Sequence, residues 1–568
     1  MQTLLDHPEI GDSKEDRPNA IFSLHERLFT GYVSRVMFVD RVKIHARGGP
    51  DIARGGLAAP LLSFCLFAVA LGLYLPSLQG DFVYDSRPQV LTDSTIHQYR
   101  NLWDVVSFRV LSLDVLDNTR PVHLFSLMID SLFWGKTPAG YHLTNVLLHA
   151  ANTVLLFWFI LRLFRPGVPT MKELLIAGLG ALLFAVHPVN SEAVCEVSYR
   201  EDLLAAFFIL LGLNLATRFT GRRNVLLGLG CCLCFLLSVA SKETGIAGPP
   251  LLFLYLVFFR REERRAAWAW LIVGASLVVF AFLIARFSLQ PSESFISPDH
   301  PKYLGGSFPE MLKIEPRIWT FSLGLILWPS QLCADYGPYS IRNITLTGAW
   351  LVLMGVVVLH WLFVRRSRML FWGAAAYWLA LLPVLNLVPI FQALADRFLY
   401  LPLVGVSVLI AGLLSHQRLW SKKWMGMIAM GLFVLVCIEF SFLTLSRERV
   451  WHDQVSLWRD TLRKNPASWP AANNLGFALF DQGDFAQALA SWRQAIQLSK
   501  GQMADSWAGF AVGLEAQGQS KEADQAYRRA IRLDPRYRHP KLLVESLRWE
   551  RGQAQKLEVL ADRVNSRS

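Results

Sequence analysis

Long apolar stretches recur along most of this sequence and are separated by short polar or basic segments. A helix needs roughly 20 apolar residues to cross the hydrocarbon core of a bilayer. The pattern therefore predicts an all-α chain whose main part is a polytopic bundle of about eleven membrane-spanning helices. The apolar windows lie near residues 57–76, 144–164, 173–187, 202–217, 224–240, 245–259, 266–286, 346–364, 370–389, 397–415 and 424–445.

Basic clusters between these windows predict the orientation of the chain, because lysine and arginine are enriched in cytoplasmic loops. Alternate crossings place the N-terminus inside and the C-terminus outside. A further apolar stretch, 317–333, is interpreted as a partly inserted or re-entrant helix, since a full crossing there would move the next basic cluster to the wrong side. The clusters assigned to the cytoplasm are Arg218/Arg222/Arg223, Arg260/Arg261/Arg264/Arg265, Arg365/Arg366/Arg368 and Arg418/Lys422/Lys423.

This orientation predicts three regions: a cytoplasmic segment 1–56, a transmembrane domain 57–445 and an extracytoplasmic helical domain 446–568. The first apolar window starts late and has no small-residue cleavage context, so we expect it to be an uncleaved anchor. Four connections fall on the outer side and hold most of the unusual polar residues. They are residues 78–142, 188–201, 241–244 and 287–345.

Composition agrees with a membrane protein, because 53% hydrophobic and 18% charged residues in a chain of 568 are too apolar for ordinary soluble usage. Much of the net charge of +12 lies in the short clusters between windows, which argues against a nucleic-acid partner. The seven cysteines show no paired zinc-type spacing. We interpret Cys231, Cys232 and Cys234 as packing residues of an apolar helix.

The C-terminal region repeats with a period of about 34 residues, the length of one tetratricopeptide helix pair. The copies cover about 469–502 and 504–537. Because such stacks usually need about three units, we expect helices near 450–466 and 537–562 to cap them. The domain is either a structural cap or a concave surface for a protein or peptide. Its signature residues are Leu475, Gly476, Ala488, Trp492 and Ala495 in the first copy and Trp507, Ala511, Ala523, Tyr527, Ala530 and Pro535 in the second.

Several polar strings follow one another on or beside the predicted outer side. They are GDFVYDS, RPVHLFSL, YHLTNVLLHA, HPVNSEAV with YRED, SKETG and DRFLYLP. Together with the terminal repeats, this set resembles the transmembrane and tetratricopeptide-repeat O-mannosyltransferase-like family over roughly residues 57–540. The resemblance implies a GT-C membrane glycosyltransferase whose active site faces the lumen or periplasm. One departure is Ser86, since the family usually has a second acid after the residue that matches Asp85.

The resemblance further implies transfer of a hexose, with mannose as the family inference, from a polyprenyl- or dolichyl-phosphate donor to a protein Ser or Thr hydroxyl. An alcohol needs a base to attack the anomeric carbon, and Asp85 is our candidate. A single displacement then inverts the sugar. Glu192 is a second catalytic candidate that positions the acceptor or supports the base.

The leaving lipid phosphate needs a cation, and guanidinium groups provide charge-assisted hydrogen bonds. Arg200 is the first choice for this role, followed by Lys242, Arg120 and Arg397. Chemistry does not require a metal, although His187, Glu192 and Asp85 would suit a divalent cation if their loops converge. Residues predicted to bind sugar or acceptor are His187, His123, Asp81, Glu243 and Tyr400.

Structural roles stay open for these residues. Asp85 and Glu192 also suit helix caps or turns, and Arg200 with Glu201 and Asp202 suits an interfacial charge network. A non-catalytic membrane scaffold that binds an extracytoplasmic protein through its repeats is the alternative function. A transferase acting on a glycolipid or cell-wall polymer is a third.

The expected partners are the lipid bilayer, the lipid-linked sugar and a protein or peptide acceptor at the repeats. We expect the chain in a bacterial inner membrane rather than the endoplasmic reticulum, with the repeats on the periplasmic or lumenal side.

Overall fold

The computed structural model describes residues 51–164, 168–219, 224–260, 265–290, 303–364, 366–539 and 551–566. Within these ranges the chain consists of helices and connections and contains no β-strand, which confirms the predicted all-α class. Some predictions lie outside the described residues. They concern the segment before residue 51, residues 291–302 of the fourth outer connection, residues 540–550 of the second capping helix, and Arg222, Arg223, Arg261, Arg264 and Arg365.

The α-helices of the described ranges are numbered here in chain order. They are α1 (Asp51–Tyr74), α2 (Leu102–Val106), α3 (Pro121–Trp134), α4 (Pro138–Leu163), α5 (Met171–Val186), α6 (Ser191–Cys195), α7 (Arg200–Arg218), α8 (Val225–Ser241), α9 (Gly248–Phe259), α10 (Arg265–Leu289), α11 (Phe308–Leu327), α12 (Leu346–Val364), α13 (Arg368–Leu381), α14 (Tyr400–Ser415), α15 (Lys423–Val450), α16 (Gln454–Lys464), α17 (Trp469–Asp481), α18 (Phe485–Leu498), α19 (Ala504–Ala516), α20 (Ser520–Leu533) and α21 (Arg551–Asn565).

Short single-turn helices occupy many of the connections. A π-type turn covers Arg87–Thr92. The 3₁₀ turns are Leu75–Gln79, Thr95–His97, Tyr99–Asn101, Arg109–Ser112, Pro188–Asn190, Val197–Tyr199, Glu243–Ala247, Leu304–Gly306, Leu382–Val384, Asp396–Leu399, Gln417–Trp420 and Pro535–Arg538.

Each of the eleven predicted apolar windows coincides with a helix, namely α1, α4, α5 and α7 to α10, followed by α12 to α15. Among the described residues, six helices are long and apolar enough to cross a membrane, or seven if α5 and the bent continuation Pro188–Cys195 form one span. The remaining four windows correspond to the shorter apolar helices α8, α9 and α13 and to α7. Helix α7 begins with the charged residues Arg200, Glu201 and Asp202. The number of crossings and the re-entrant interpretation of 317–333 stay predictions.

The outer surface of the bundle carries large apolar side chains that a soluble protein would bury. Leu351 and Val357 on α12 are 59% and 56% exposed, and Phe280 on α10 is 62% exposed. In a bilayer such side chains contact hydrocarbon and not water, so their exposure carries no hydrophobic penalty. The described helices therefore fit a multi-pass membrane protein.

Helices α13 and α14 pack with their backbones in close contact. A Cβ atom at Gly405 would lie 2.4 Å from the backbone nitrogen of Tyr377, and one at Gly373 would lie 2.5 Å from that of Leu409. Glycine is thus required on both faces, as in other close helix pairs of membrane proteins. This contact fixes the start of α14 and, with it, the turn Asp396–Leu399 that precedes it.

The two predicted repeats form the helix pairs α17–α18 and α19–α20, and α16 and α21 flank them. Trp492 fills the gap between the pairs. A Cβ atom at Gly476 or Gly509 would come within 2.7 or 2.5 Å of its ring. The small and large residues of the repeat pattern thus have the predicted packing roles.

The repeat helices lie directly against segments predicted as outer connections. Ser468 donates to Asp335 Oδ2 at 2.5 Å, and Lys464 Nζ donates to the carbonyl oxygen of Leu332 at 2.6 Å. Arg87 forms an ion pair with Asp481 on α17 at 3.6 Å. These outer segments and the repeats therefore share one end of the bundle.

We predict that Gly405→Ala lowers the stability of the bundle by about 1–3 kcal/mol, because the added methyl must push α13 and α14 apart. Thermal unfolding of the purified protein in detergent measures the loss. Gly431→Ala on α15 is the matched control, since a Cβ there meets no atom within 4 Å. Equal unfolding temperatures for both variants would contradict the close-packing interpretation.

Candidate active site

Three connections meet at the end of the bundle that faces the repeats. They are the segment after α1, the turn Val197–Tyr199 before α7 and the segment before α14. Gln392 Nε2 donates to Tyr84 Oη at 2.8 Å, and the rings of Tyr84 and Tyr199 lie 6.1 Å apart in an edge arrangement. The ring of Trp458 on α16 packs on Tyr84 at 4.9 Å. Residues far apart in sequence thus surround one small region.

Asp85 lies in this region and is partly buried. Tyr84 before it has φ +53°, a left-handed backbone that is uncommon for a residue with a side chain. The hydroxyl of Tyr199 donates to Asp85 Oδ2 at 2.9 Å. Burial raises the pKa of Tyr199 well above its ordinary value, so its phenol keeps the proton that it donates. Asp85 is therefore oriented by a neutral hydrogen-bond donor.

Arg397 reaches the same tyrosine, with its guanidinium carbon 3.8 Å from the centre of the Tyr199 ring. Glu192 fixes the arginine twice, because its carboxylate accepts from Arg397 Nη1 at 2.5 Å and from the Arg397 backbone nitrogen at 2.9 Å. Gln392 accepts a further bond from Nη2. The buried Nε of Arg397 has no hydrogen-bond partner among the described residues. We name Asp85, Tyr199, Arg397 and Glu192 the Asp85 site.

Arg200, the first choice for the donor phosphate, lies elsewhere. Its side chain is 0% exposed and pairs with Asp130 on α3 at 2.6 Å. It also donates to Asn145 Oδ1 at 2.7 Å and to the carbonyl oxygen of Tyr141 at 2.8 Å, both on α4. Arg200 thus joins α7 to α3 and α4. The guanidinium beside Tyr199 is that of Arg397.

Arg120, Lys242 and Glu243 belong to a second group, which we name the ion-pair cluster together with Glu201, Asp202 and Arg286. Arg120 pairs with Glu201 at 2.5 Å, and Lys242 pairs with Glu201 at 2.9 Å and Asp202 at 2.5 Å. Arg286 pairs with Glu243, which also contacts Arg120 at 3.4 Å. Burial lowers the pKa of Arg120, but the carboxylates of Glu201, Glu243 and Asp117 outweigh it and raise that pKa. Arg120 therefore keeps its positive charge.

The Phe398 ring lies between the ion-pair cluster and the Asp85 site. Lys242 Nζ is 5.8 Å from the ring centre, and the Arg397 guanidinium is 5.1 Å from it. Both cations therefore border one aromatic side chain. The predicted cations Arg120, Lys242 and Arg397 come together in this part of the structure.

The other predicted residues occupy separate positions. The His187 ring nitrogens contact the carbonyl oxygen of Ile326 and the backbone nitrogen of Val189, and Tyr400 is buried against His149 and Asn152. His123 is 0% exposed beside Gln89, and burial lowers its pKa to about 3. Asp81 is exposed, and its backbone nitrogen bonds to His452. None of these recorded contacts joins the Asp85 site.

The cation site considered for His187, Glu192 and Asp85 is not assembled here. His187 contacts the backbone of α11, whereas Glu192 pairs with Arg397 and Asp85 accepts from Tyr199. Across the described part of the chain, no three His, Cys, Asp or Glu side chains are grouped so that they could hold a metal ion.

Sequence reasoning did not assign roles to Tyr199, Gln392 and Glu196. Tyr199 lies in the YRED string, directly before Arg200, the arginine predicted to bind the donor phosphate. A tyrosine before a charged run usually indicates a membrane interface, so the local pattern favoured no catalytic role. Gln392 lies in a polar break between two apolar windows, and only the fold brings it to Tyr84.

Comparisons with known proteins agree with the motifs. Tetratricopeptide repeat family models match residues 469–501 and 504–537. Protein O-mannosyl-transferase Tmtc3 of Drosophila melanogaster is 28% identical over 492 residues, which cover 73% of this chain and 52% of that protein. The predicted family resemblance is confirmed.

Two further O-mannosyltransferase relatives extend the match. Protein O-mannosyl-transferase F38B6.6 of Caenorhabditis elegans is 25% identical, covering 76% of this chain and 62% of that protein. Protein O-mannosyl-transferase TMTC3 of Homo sapiens is 26% identical, covering 83% of this chain and 55% of that protein. The chain thus spans a little over half the length of these relatives. Because they come from animals, they do not favour a bacterial membrane over the endoplasmic reticulum.

We predict that Asp130→Leu destabilises the protein by about 3–5 kcal/mol, because it leaves the fully buried Arg200 without its carboxylate. Asp130→Leu/Arg200→Met recovers most of that loss, since both charges are then gone. Thermal unfolding in detergent measures both variants. Asp104→Leu is the control, because Asp104 pairs with an exposed arginine, Arg109. Unchanged stability of Asp130→Leu would show that Arg200 does not need this partner.

Proposed function

We propose that this chain is a membrane glycosyltransferase that moves a hexose, mannose by family inference, from a polyprenyl-phosphate-linked donor to a protein Ser or Thr hydroxyl. The observation that carries the proposal is the meeting of Asp85 and Arg397 at Tyr199. These residues come from strings shared with the O-mannosyltransferase-like family. The names of the relatives support glycosyl transfer as the reaction class.

In the proposed step, the acceptor oxygen attacks the anomeric carbon while Asp85 takes the hydroxyl proton. The bond between that carbon and the phosphate oxygen breaks, and the lipid phosphate leaves with the bonding electron pair. One displacement inverts the anomeric configuration. Tyr199 keeps the Asp85 carboxylate oriented, because its hydroxyl donates a hydrogen bond to Oδ2.

Arg397 stabilises the negative charge of the leaving phosphate. Its contacts with Glu192 and Gln392 hold the guanidinium still, which is the condition for electrostatic catalysis by a preorganised group. The unpartnered Nε is the donor that remains for a phosphate oxygen. Lys242 lies on the other side of Phe398, where Glu201 and Asp202 pair with its ammonium group.

The repeats present the acceptor in this proposal. The Trp458 ring, on the helix that precedes the first repeat, packs on Tyr84, the residue before the proposed base. A peptide held along the repeats would therefore approach Asp85 from α16. The contacts of Ser468 and Lys464 with residues 332–335 hold the start of the repeat region against the connection between α11 and α12.

Asp85→Asn should abolish sugar transfer while leaving expression and membrane insertion intact, because an amide cannot accept the acceptor proton. The assay uses a polyprenyl-phosphate hexose donor and a Ser/Thr peptide. Asp104→Asn, a change at a half-buried acid in the same outer connection that pairs with the exposed Arg109, is the control and should transfer at the normal rate. Normal transfer by Asp85→Asn would favour the scaffold alternative.

Replacing Arg397 by lysine should lower kcat roughly 10- to 100-fold, because a single ammonium cannot hold Glu192 and also meet the phosphate. The conservative change keeps the charge that Glu192 requires, so folding should persist. Arg109→Lys serves as the control, because the Arg109 side chain is 70% exposed and pairs only with Asp104 among the ion pairs of the described residues. A kcat equal to that of the control would exclude Arg397 from phosphate stabilisation.

A further inference from the structure

Glu196 is a carboxyl that the transfer step does not use, although it lies against the Asp85 site. It is 0% exposed. Its Oε1 accepts from the backbone nitrogen of Ser86 at 2.7 Å. Its Oε2 accepts from the hydroxyl of Ser198 at 2.5 Å and from the backbone nitrogen of Tyr199 at 3.0 Å. Ser86 and Tyr199 are thus held by the same carboxyl group.

These two neighbours are also the ones that hold Asp85. Ser86 follows Asp85 in the chain, and Tyr199 donates its hydroxyl to the Asp85 carboxylate. Glu196 therefore accepts hydrogen bonds both from Ser86, the residue after Asp85, and from Tyr199, the residue that donates to the Asp85 carboxylate. Moving the Glu196 carboxyl would shift both supports of the proposed base.

Glu196 also interacts electrostatically with Asp85. Burial, and then the nearby charge of Asp85, raises the pKa of Glu196 to about 8, although hydrogen bonds from Ser198 and Ser86 act against this. The other titratable groups facing it are the phenol of Tyr199 and the guanidinium of Arg200, and Arg397 lies over the Tyr199 ring. The charge of Asp85 therefore disfavours ionisation of Glu196.

We propose that Glu196 is the second carboxyl of the Asp85 site, a positioning residue that holds both the turn carrying Asp85 and the tyrosine that donates to it. The acid expected at position 86 is absent, and Glu196 places its carboxyl against the backbone of that position instead. The role of Glu196 in sugar transfer rests on the proposed function, whereas its electrostatic interaction with Asp85 does not.

The coupling has a consequence for donor binding. The raised pKa of Glu196, about 8, means that most of this carboxyl is neutral at pH 7. At alkaline pH Glu196 loses its proton and gains a negative charge. That charge opposes the anionic lipid phosphate, so binding of the donor weakens as pH rises past the pKa of Glu196.

The first experiment follows the protonated carboxyl band of the purified full-length protein by infrared titration. Glu196→Gln assigns the band, which should disappear in that variant. In Asp85→Asn the same band should titrate about one pH unit lower than in the wild type, because the neighbouring charge is gone. Asp104→Asn should leave it in place. An unmoved band in Asp85→Asn overturns the proposed pair.

The second experiment measures kcat/KM for the lipid donor from pH 6 to 10. In the wild type it should fall roughly tenfold in total as pH rises past the pKa of Glu196, because one added charge weakens donor binding without abolishing it. Glu196→Gln should lose that alkaline decline, whatever its rate at pH 7, and Glu196→Asp should retain the decline. A decline that persists in Glu196→Gln overturns the role of Glu196 in donor binding.

Together the two experiments distinguish a failure of the proposed function from a failure of the proposed pairing of Glu196 with Asp85. If the wild type transfers no sugar, the proposed function fails, and the infrared titration still decides whether Glu196 and Asp85 are coupled. If transfer depends on Asp85 but the Glu196 band does not respond to Asp85→Asn, the function stands and the pair is rejected.

Discussion

The need to neutralise buried charge is the constraint on which the outer end of this structure depends. A charged side chain taken out of water is strongly destabilising unless a partner of opposite charge and further hydrogen bonds accompany it. Arg200 with Asp130 and Arg397 with Glu192 meet this requirement with both members almost fully buried. Each pair joins segments far apart in sequence, so neutralisation also determines how the connections meet.

Arg200 and Arg397 meet this requirement to different extents. Arg200 has carboxylate, amide and carbonyl partners and so braces α3, α4 and α7. Arg397 is held as firmly, but its Nε lacks a partner among the described residues and its guanidinium lies on Tyr199. An arginine that is fixed by some of its donors and open at another is suited to stabilise charge that develops during a reaction.

Much of the fold was predictable from sequence, because apolar windows and repeat positions report local burial. Each window became a helix, and Gly476 and Trp492 pack as the repeat pattern requires. At the candidate site, the predicted residues Glu192 and Arg397 lie together, whereas Arg200 pairs with Asp130. A sequence shows that a charge is near the membrane boundary and not which carboxylate it meets.

By itself the sequence determined the helical membrane class, the repeat tail and the family resemblance, because periodicity and short motifs are properties of neighbouring residues. Only the tertiary structure decided that Asp85, Tyr199 and Arg397 meet and that Glu196 supports them. Those contacts join residues more than 100 positions apart. Their partners are selected by helix packing and by the pairing of buried charges, which no local pattern encodes.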